Sequence, residues 1–292
     1  MYVLTGTTGG LGSEVLKSIL KLVPPSEIIV SLYNPSSSAA NELQSIGVTV
    51  RRGDYKSPES LKAAFAGGNK LLIVSYPSIG NDERFNSHKT AIDAAIEVGI
   101  EHIYYTSLAF ASDSVTAVMK AHLRTEAYLK SKKVKYTIIR EGIYSESIAL
   151  YLGFFDASFP TEETVIEVPG DGGIAWVAKR DLGAGTAKLL TLDDYTNQTV
   201  LLSGDKAYTV AETAEIVGKV VNKRVTTKII PRGDYEAKLG KGRLGPDFAK
   251  LWATTYDGLE RGECATVDPL LPKLIGKLTP LEVIFKEILL KV

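Results

Sequence analysis

The chain has a single cysteine, Cys264, in 292 residues, which excludes an internal disulfide and a thiolate metal cluster. Three histidines leave little material for zinc, and no metal is expected. Net charge is lacking too, since 34 Lys+Arg balance 34 Asp+Glu. A protein relying on phosphate attraction or polybasic membrane contact would carry a basic excess, so neither nucleic acid nor membrane is expected as a partner. Long apolar runs are missing. Leu71-Leu72-Ile73-Val74 is strand-sized, and the start MYVLTGTTGG shows no cationic segment leading into an apolar one. Together these absences imply a reducing, cytoplasmic setting. What remains, 45% hydrophobic and 23% charged residues, suits a packed globule, and a chain of this length buries roughly 75% of its unfolded surface.

The first half alternates short β-branched runs with amphipathic stretches. Val3-Leu4 precedes a glycine-rich turn, after which Leu11, Val15, Leu16, Ile19 and Leu20 recur at helical spacing until Pro24-Pro25. Ile28-Ile29-Val30 and Val48-Thr49-Val50 read as strands around a helix lined by Ala39, Ala40, Leu43 and Ile46. Ser57-Pro58 opens the next helix with an N-cap and a proline at its first position. Strands at Leu71–Val74, Ile103–Tyr105 and Tyr136–Ile139 enclose helices ending at Gly99 and covering about 116–130. This rhythm predicts an α/β fold: a doubly wound parallel sheet of Rossmann type over residues 1–150. Past residue 150 the alternation loosens. Helices over Val210–Val221 and Pro280–Leu290 and a strand over Val225–Ile230 suggest a smaller α+β part, residues 151–292, that binds substrate, packs on the first part and returns elements to it.

Gly6, Gly9 and Gly12 stand three apart in TGTTGGLG, between a strand and a helix. Glycine there admits positive φ, removes the Cβ that would block a pyrophosphate, and lets helix and strand approach closely. Amides at the helix start then face the phosphates, so residues 5–13, with Gly6, Thr7, Thr8, Gly9, Gly10, Leu11 and Gly12 at their centre, are read as a dinucleotide site. No Gly-Lys-Ser/Thr follows, which excludes a mononucleotide P-loop. The second strand should end beside the adenosine ribose, where an acid favours NAD and an arginine favours NADP. Ser31-Leu32-Tyr33-Asn34 has neither. Ser31, Tyr33 and Asn34 can donate to a 2′-phosphate, so NADP(H) is favoured and NAD(H) stays open. Asp54 either accepts from the adenine amino group or is a solvated turn residue. Thr106 and Ser107 end the fifth strand, and Ser75-Tyr76 is expected to line the ribose.

These segments together resemble a family. TGTTGGLG, YNP from Tyr33, GDY ending at Tyr55, YTSL from Tyr105, HLRTEAYL from His122 and REGIYSE from Arg140 are similar to the NmrA-like, atypical short-chain dehydrogenase/reductase group, above all its bacterial quinone and triphenylmethane reductases. The resemblance runs nearly end to end. It implies NADP(H) bound at the carboxyl ends of the sheet, by Tyr55 among others, and reduction of quinones or related conjugated acceptors. The quinone reductases carry arginine where this chain has Tyr33.

Short-chain dehydrogenases commonly use Tyr-x-x-x-Lys, and Tyr128 to Lys132 fits on paper. Arg140 ends the next strand soon afterwards, which places Tyr128 at the far end of its helix. The resemblance puts His122 where the family's lysine stands and Val118 where the tyrosine would be, so the usual proton donor is missing. Hydride addition to a ketone leaves an alkoxide whose conjugate acid is about as weak as water, whereas a quinone leaves a phenolate with pKa ~10. The gap, about 8 kcal/mol, favours a quinone-like small molecule as acceptor. His122, Tyr144 and Ser107 are the candidate donors. His122 is either catalytic or packing, and Tyr144 either contacts nicotinamide and substrate, as the resemblance implies, or belongs to the core. Tyr151, Phe154, Phe155 and Phe159 either stack a flat acceptor or form core. A homodimer is admitted. The rival reading is a dinucleotide sensor that docks a regulatory partner without turnover.

Overall fold

A computed structural model describes residues 1–154 and 162–290. In chain order its elements are β1 (Tyr2–Thr5), α1 (Gly10–Ile19), β2 (Ile28–Leu32), α2 (Ser38–Ser45), β3 (Thr49–Arg52), α3 (Pro58–Phe65), β4 (Lys70–Ile73), α4 (Asn81–Glu97), β5 (His102–Leu108), α5 (Met119–Lys130) and β6 (Lys135–Glu141). They continue with α6 (Ile148–Tyr151), β7 (Glu163–Val168), α7 (Lys179–Thr191), β8 (Gln198–Leu202), α8 (Val210–Val221) and β9 (Arg224–Ile229). The helices α9 (Arg232–Gly240), α10 (Gly245–Glu260), α11 (Leu270–Ile275) and α12 (Leu281–Leu290) complete the order. The chain divides into two units. The first comprises Met1–Leu108, Ala121–Glu141 and Lys179–Leu202, and the second takes the segments between and after these.

The first unit is a seven-stranded, wholly parallel sheet in the order β3-β2-β1-β4-β5-β6-β8. The order reverses between β1 and β4, and the carboxyl ends of strands at such a reversal form a ligand crevice. Successive side chains point to opposite faces. Val3, Ile29, Leu71, Ile73, Ile103, Tyr105 and Ile138 share a buried cluster with Leu61 and Phe65 of α3, Ile92 of α4 and Leu129 of α5. On the other face Lys70 donates to the Leu190 carbonyl of α7 and Tyr104 to that of Leu192. α7 also packs against α1, where a Cβ on Gly183 would lie 2.5 Å from Cβ of Glu14. With both faces covered, the central strands carry apolar runs such as Ile28-Ile29-Val30 and Leu71-Leu72-Ile73, and every fully buried Val, Leu or Ile contributes about 1.5–3 kcal/mol.

Local signals set the element ends. Ser57 caps α3 through a bond from the Ser60 amide, with Pro58 at the first position. Thr209 and Glu212 form a reciprocal capping box at α8, which Asn222 ends in the left-handed conformation. One boundary departs from the expected span: α5 begins at Met119 rather than near 116. Thr116 accepts from the Met119 amide and the Ala117 amide donates to Thr254, so Val118 lies ahead of the helix. The second unit holds the parallel pair β7-β9. In its core Trp176 donates through Nε1 to Thr213 of α8 at 3.0 Å and meets Phe285 of α12 edge-on.

Candidate dinucleotide-binding site

The turn after β1 is built around glycine. Gly6 has φ +65, and the Gly9 amide donates back to its carbonyl at 3.0 Å. A Cβ on Gly12 would stand 2.2 Å from the Gly6 oxygen, so the first turn of α1 can lie on the strand end only if that residue has no side chain. The N-cap, Gly9, gives no side-chain cap, and no acidic residue occupies the first turn. The leading amides of α1 are therefore left for an anion. Thr7 is buried, and its Oγ1 has no partner among the described residues. Such an orphan hydroxyl is costly unless a ligand or water completes it. Thr8 and Gly10 are exposed at the same turn, while Leu11 is buried beneath it. A cation that sequence reasoning missed joins them: Nζ of Lys179, the first residue of α7, lies 3.2 Å from where a Cβ on Gly10 would be.

At the outer edge β2 and β3 end side by side, with Leu32 opposite Arg52. The Gly53 amide donates to the Leu32 carbonyl at 2.8 Å. Tyr33 is exposed, and Asn34 accepts through Oδ1 from the Ser36 amide at 3.1 Å. Asp54 turns its carboxylate to the Lys56 amide at 2.9 Å, and its own amide donates to Ser60. Tyr55 donates to Thr5 Oγ1 at 3.0 Å, and its ring tilts against that of Tyr76. Thr5 also donates to the Leu72 carbonyl and accepts from the Val74 amide, tying the ends of β1 and β4 together.

Towards β5 and β6 the crevice is backed by a buried polar network. The Ser75 amide donates to Thr106 Oγ1 at 2.9 Å. The Tyr76 amide donates to Nε2 of His88 at 2.8 Å, so Nδ1 carries the hydrogen and gives it to Thr125. Arg84 reaches Nε2 of His122 at 3.2 Å, and Nδ1 of His122 faces the Tyr105 hydroxyl at 2.9 Å. An arginine can only donate, so His122 accepts at Nε2 and is neutral. Burial, then the Arg84 charge, holds His122 well below the usual imidazole range and brings His88 down to about 3. Ser107, also buried, donates to Glu126 at 2.7 Å, and Arg140 grips the same carboxylate at 3.0 and 2.8 Å. Ser75, Tyr76, Thr106, Ser107 and His122 are thus brought together through hydrogen bonds and shared neighbours.

Tyr144 belongs to the second unit. It is half-buried, precedes the short 3-10 turn Ser145–Ser147, and pairs with Val177 in an isolated parallel bridge. Tyr151 packs edge-on against Trp176 and Trp252, with centroids 5.3 Å away in both cases, and Phe154 meets Phe248 and Trp252. Phe155 and Phe159 lie outside the described residues. A cavity of about 300 Å³ opens in this unit, lined by Leu152, Phe154, Ile166, Tyr235 and Lys238 among others. Among the described residues there is no group of His, Cys, Asp and Glu able to hold a metal ion, and no helix long and apolar enough to cross a membrane.

A doubly wound parallel sheet, a glycine turn between β1 and α1, and a crevice where the strand order reverses define a nucleotide-binding fold of Rossmann type. The NmrA-like family matches residues 2–250, and the chain belongs to that family. Quinone oxidoreductase 2 of Escherichia coli K12 is 33% identical over 276 residues, covering 94% of this chain and 94% of that protein. Among solved structures, triphenylmethane reductase of Citrobacter sp., complexed with NADP(H), superposes with a TM-score of 0.87 at 33% identity, covering 99% of this chain and 100% of that one. The Escherichia coli NADPH-dependent quinone oxidoreductase complexed with NADPH gives a TM-score of 0.87 at 31% identity over 98% of this chain and 99% of that one.

Proposed function

We propose that the chain is an NAD(P)H-dependent oxidoreductase that passes hydride to a quinone or a similar conjugated small molecule. The observation that carries the cofactor half is the turn itself: leading amides with no side-chain cap, the orphan Thr7 hydroxyl and a Gly12 that admits no Cβ. These features fit a diphosphate bridge, and Gly6, Thr7, Thr8, Gly9, Gly10, Leu11 and Gly12, with Lys179, would hold it. Asn34, Asp54 and Tyr55 are assigned to the adenosine end, and Ser75, Tyr76, Thr106 and Ser107 to the nicotinamide end. The bound nicotinamide supplies a hydride equivalent. The related reductases from Escherichia coli and Citrobacter support NADP(H) as cofactor and a quinone or dye as acceptor.

The acceptor class follows from what the helix lacks. Val118 precedes α5, and Tyr128 spends its hydroxyl on Asp93 at 2.6 Å. A ketone would need a positioned acid; a quinone leaves a phenolate that solvent and hydrogen-bond donors can carry. His122, held neutral between Arg84 and Tyr105, is read as a positioning residue rather than an acid, and the Ser107 hydroxyl already donates to Glu126, which leaves Tyr144 as the candidate donor. Cofactor binding is assigned to the first unit and acceptor binding to the second, in the cytoplasm. Steady-state oxidation of NADPH and NADH, with and without benzoquinones, naphthoquinones and triphenylmethane dyes, tests the reading. Acceleration by at least one acceptor class is expected. Tight nucleotide binding without any acceleration overturns the enzyme and leaves a dinucleotide sensor.

A further inference from the structure

Two consecutive arginines at the end of β3 meet opposite fates. Arg51 directs Nη1 to the carbonyls of Ala63, Ala64 and Ala66, at 3.4, 3.2 and 2.5 Å, and so closes the carboxyl end of α3. Arg52 is exposed, and among the described residues its guanidinium has neither a hydrogen bond nor a carboxylate within ion-pair distance. It lies over the Tyr33 ring, whose centroid is 5.9 Å from Cζ. Arg124, Arg224, Arg232 and Arg261, by contrast, each face an aspartate or glutamate.

The place of this cation matters. Arg52 stands opposite Leu32, the last residue of β2, at the strand end where a dinucleotide fold reads the 2′ position of the adenosine ribose. Its setting is rigid, because a Cβ on Gly53 would lie 1.9 Å from Ser31 Oγ, which clamps the end of β3 onto the end of β2. Residues 31–34 carry no acid that would repel a phosphate. An arginine lying over an aromatic ring keeps its N–H fork free for a planar pair of oxygens, the geometry that suits phosphate.

We propose that Arg52 selects the phosphorylated cofactor: its guanidinium, steadied by the Tyr33 ring, receives the 2′-phosphate of NADPH, a charge that β2 leaves unanswered. The proposal rests on the dinucleotide reading and adds to it the residue that sets cofactor choice.

Titration of NADPH and NADH by nicotinamide fluorescence, with wild type, Arg52→Gln and Arg52→Lys, tests it without turnover. Wild type should bind NADPH more tightly than NADH. Arg52→Gln should weaken NADPH by about tenfold, the size of one charge-assisted hydrogen bond, and move NADH less than about twofold. Arg52→Lys should fall between. Adenosine 2′,5′-bisphosphate should displace NADPH from wild type better than 5′-AMP does, and lose that advantage in Arg52→Gln. An unchanged NADPH affinity in Arg52→Gln, or equal losses for both nucleotides, overturns the assignment while leaving the dinucleotide site standing. Failure of wild type to bind either nucleotide overturns both.

Discussion

Thr186 of α7 donates a 2.8 Å hydrogen bond to Oε1 of Glu141, the last residue of β6, while Oε2 of the same buried carboxyl has no partner among the described residues. Burial pushes this acid from 4.5 up to about 8, against the opposing effect of Thr186. The folded chain therefore keeps a proton that the unfolded chain has released. Stability is full below about pH 4.5 and falls as pH rises towards about 8, with a slope of up to about 1.4 kcal/mol per pH unit. Glu141→Gln keeps an acceptor for Thr186 and cannot ionise. Urea unfolding midpoints of the variant should be flatter over this interval than those of wild type, and parallel profiles would show that the carboxyl ionises freely in the fold.

His88 and His122 have the opposite sign. Both are held neutral by burial and by Arg84, His88 with its pKa near 3 instead of 6.5 and His122 well below 6.5. The unfolded chain takes up these protons first, so their contribution is fully present above about pH 6.5 and is lost as pH falls towards 3. Each histidine adds up to about 1.4 kcal/mol per pH unit of acid destabilisation. Carbon-detected NMR of the imidazoles should show both rings neutral at pH 5, with His122 as the Nδ1–H tautomer. An imidazolium signal from His122 at pH 6 would break the proton assignment and restore it as an acid.

The alternation of strands and helices is legible in the sequence because a parallel sheet covered on both faces needs apolar runs such as Ile28-Ile29-Val30, and because caps such as Ser57-Pro58 are local. The turn at Gly6, Gly9 and Gly12 is legible for the same reason: its constraint lies within one strand end and one helix start. Arg52 and Lys179 escape such reading. Arg52 matters through its register opposite Leu32, and Lys179 through the packing of α7 on α1, neither of which has a periodic signature. β8 is equally silent: its pairing with β6 brings a segment from far downstream into the first sheet, and the first two of its five residues are exposed. The shared histidine network is hidden too, since it joins Arg84 and His88 of α4, Tyr105 of β5 and His122 and Thr125 of α5, and only the fold brings these three elements together.

Gly12→Ala tests the turn. The added methyl would meet the Gly6 carbonyl oxygen at 2.2 Å, so strand or helix must shift. Overpacking of this kind costs about 1–3 kcal/mol. Nucleotide affinity should fall further than stability accounts for, because the shift moves the leading amides of α1 away from the anion they serve. A variant that unfolds early yet binds NADPH and NADH with wild-type affinity, measured by fluorescence at a temperature where it is folded, would detach the turn from the cofactor.

Tyr128 separates motif from mechanism. Its hydroxyl donates to Asp93 at 2.6 Å, and Lys132 and Lys89 flank its ring with ammonium groups 4.1 and 5.3 Å from the centroid. Asp93 lies in the carboxyl-terminal half of α4, the part that leads into the start of β5, so this cluster sits towards the amino ends of the strands and not at the crevice. Against burial, which raises it, Lys89 and Tyr128 hold the Asp93 carboxyl below its ordinary range, as expected of a group that serves as acceptor in a half-buried ion cluster. Tyr128→Phe removes one hydrogen bond to a charged group and should cost about 1–2 kcal/mol of stability. Turnover with the best quinone acceptor should stay within about twofold of wild type, because a proton lost from the phenol at this end of the sheet has no route to the nicotinamide end. A fall of about a hundredfold in kcat, the scale at which a general acid acts, would return Tyr-x-x-x-Lys to the mechanism and remove the argument for an acceptor that needs no positioned acid.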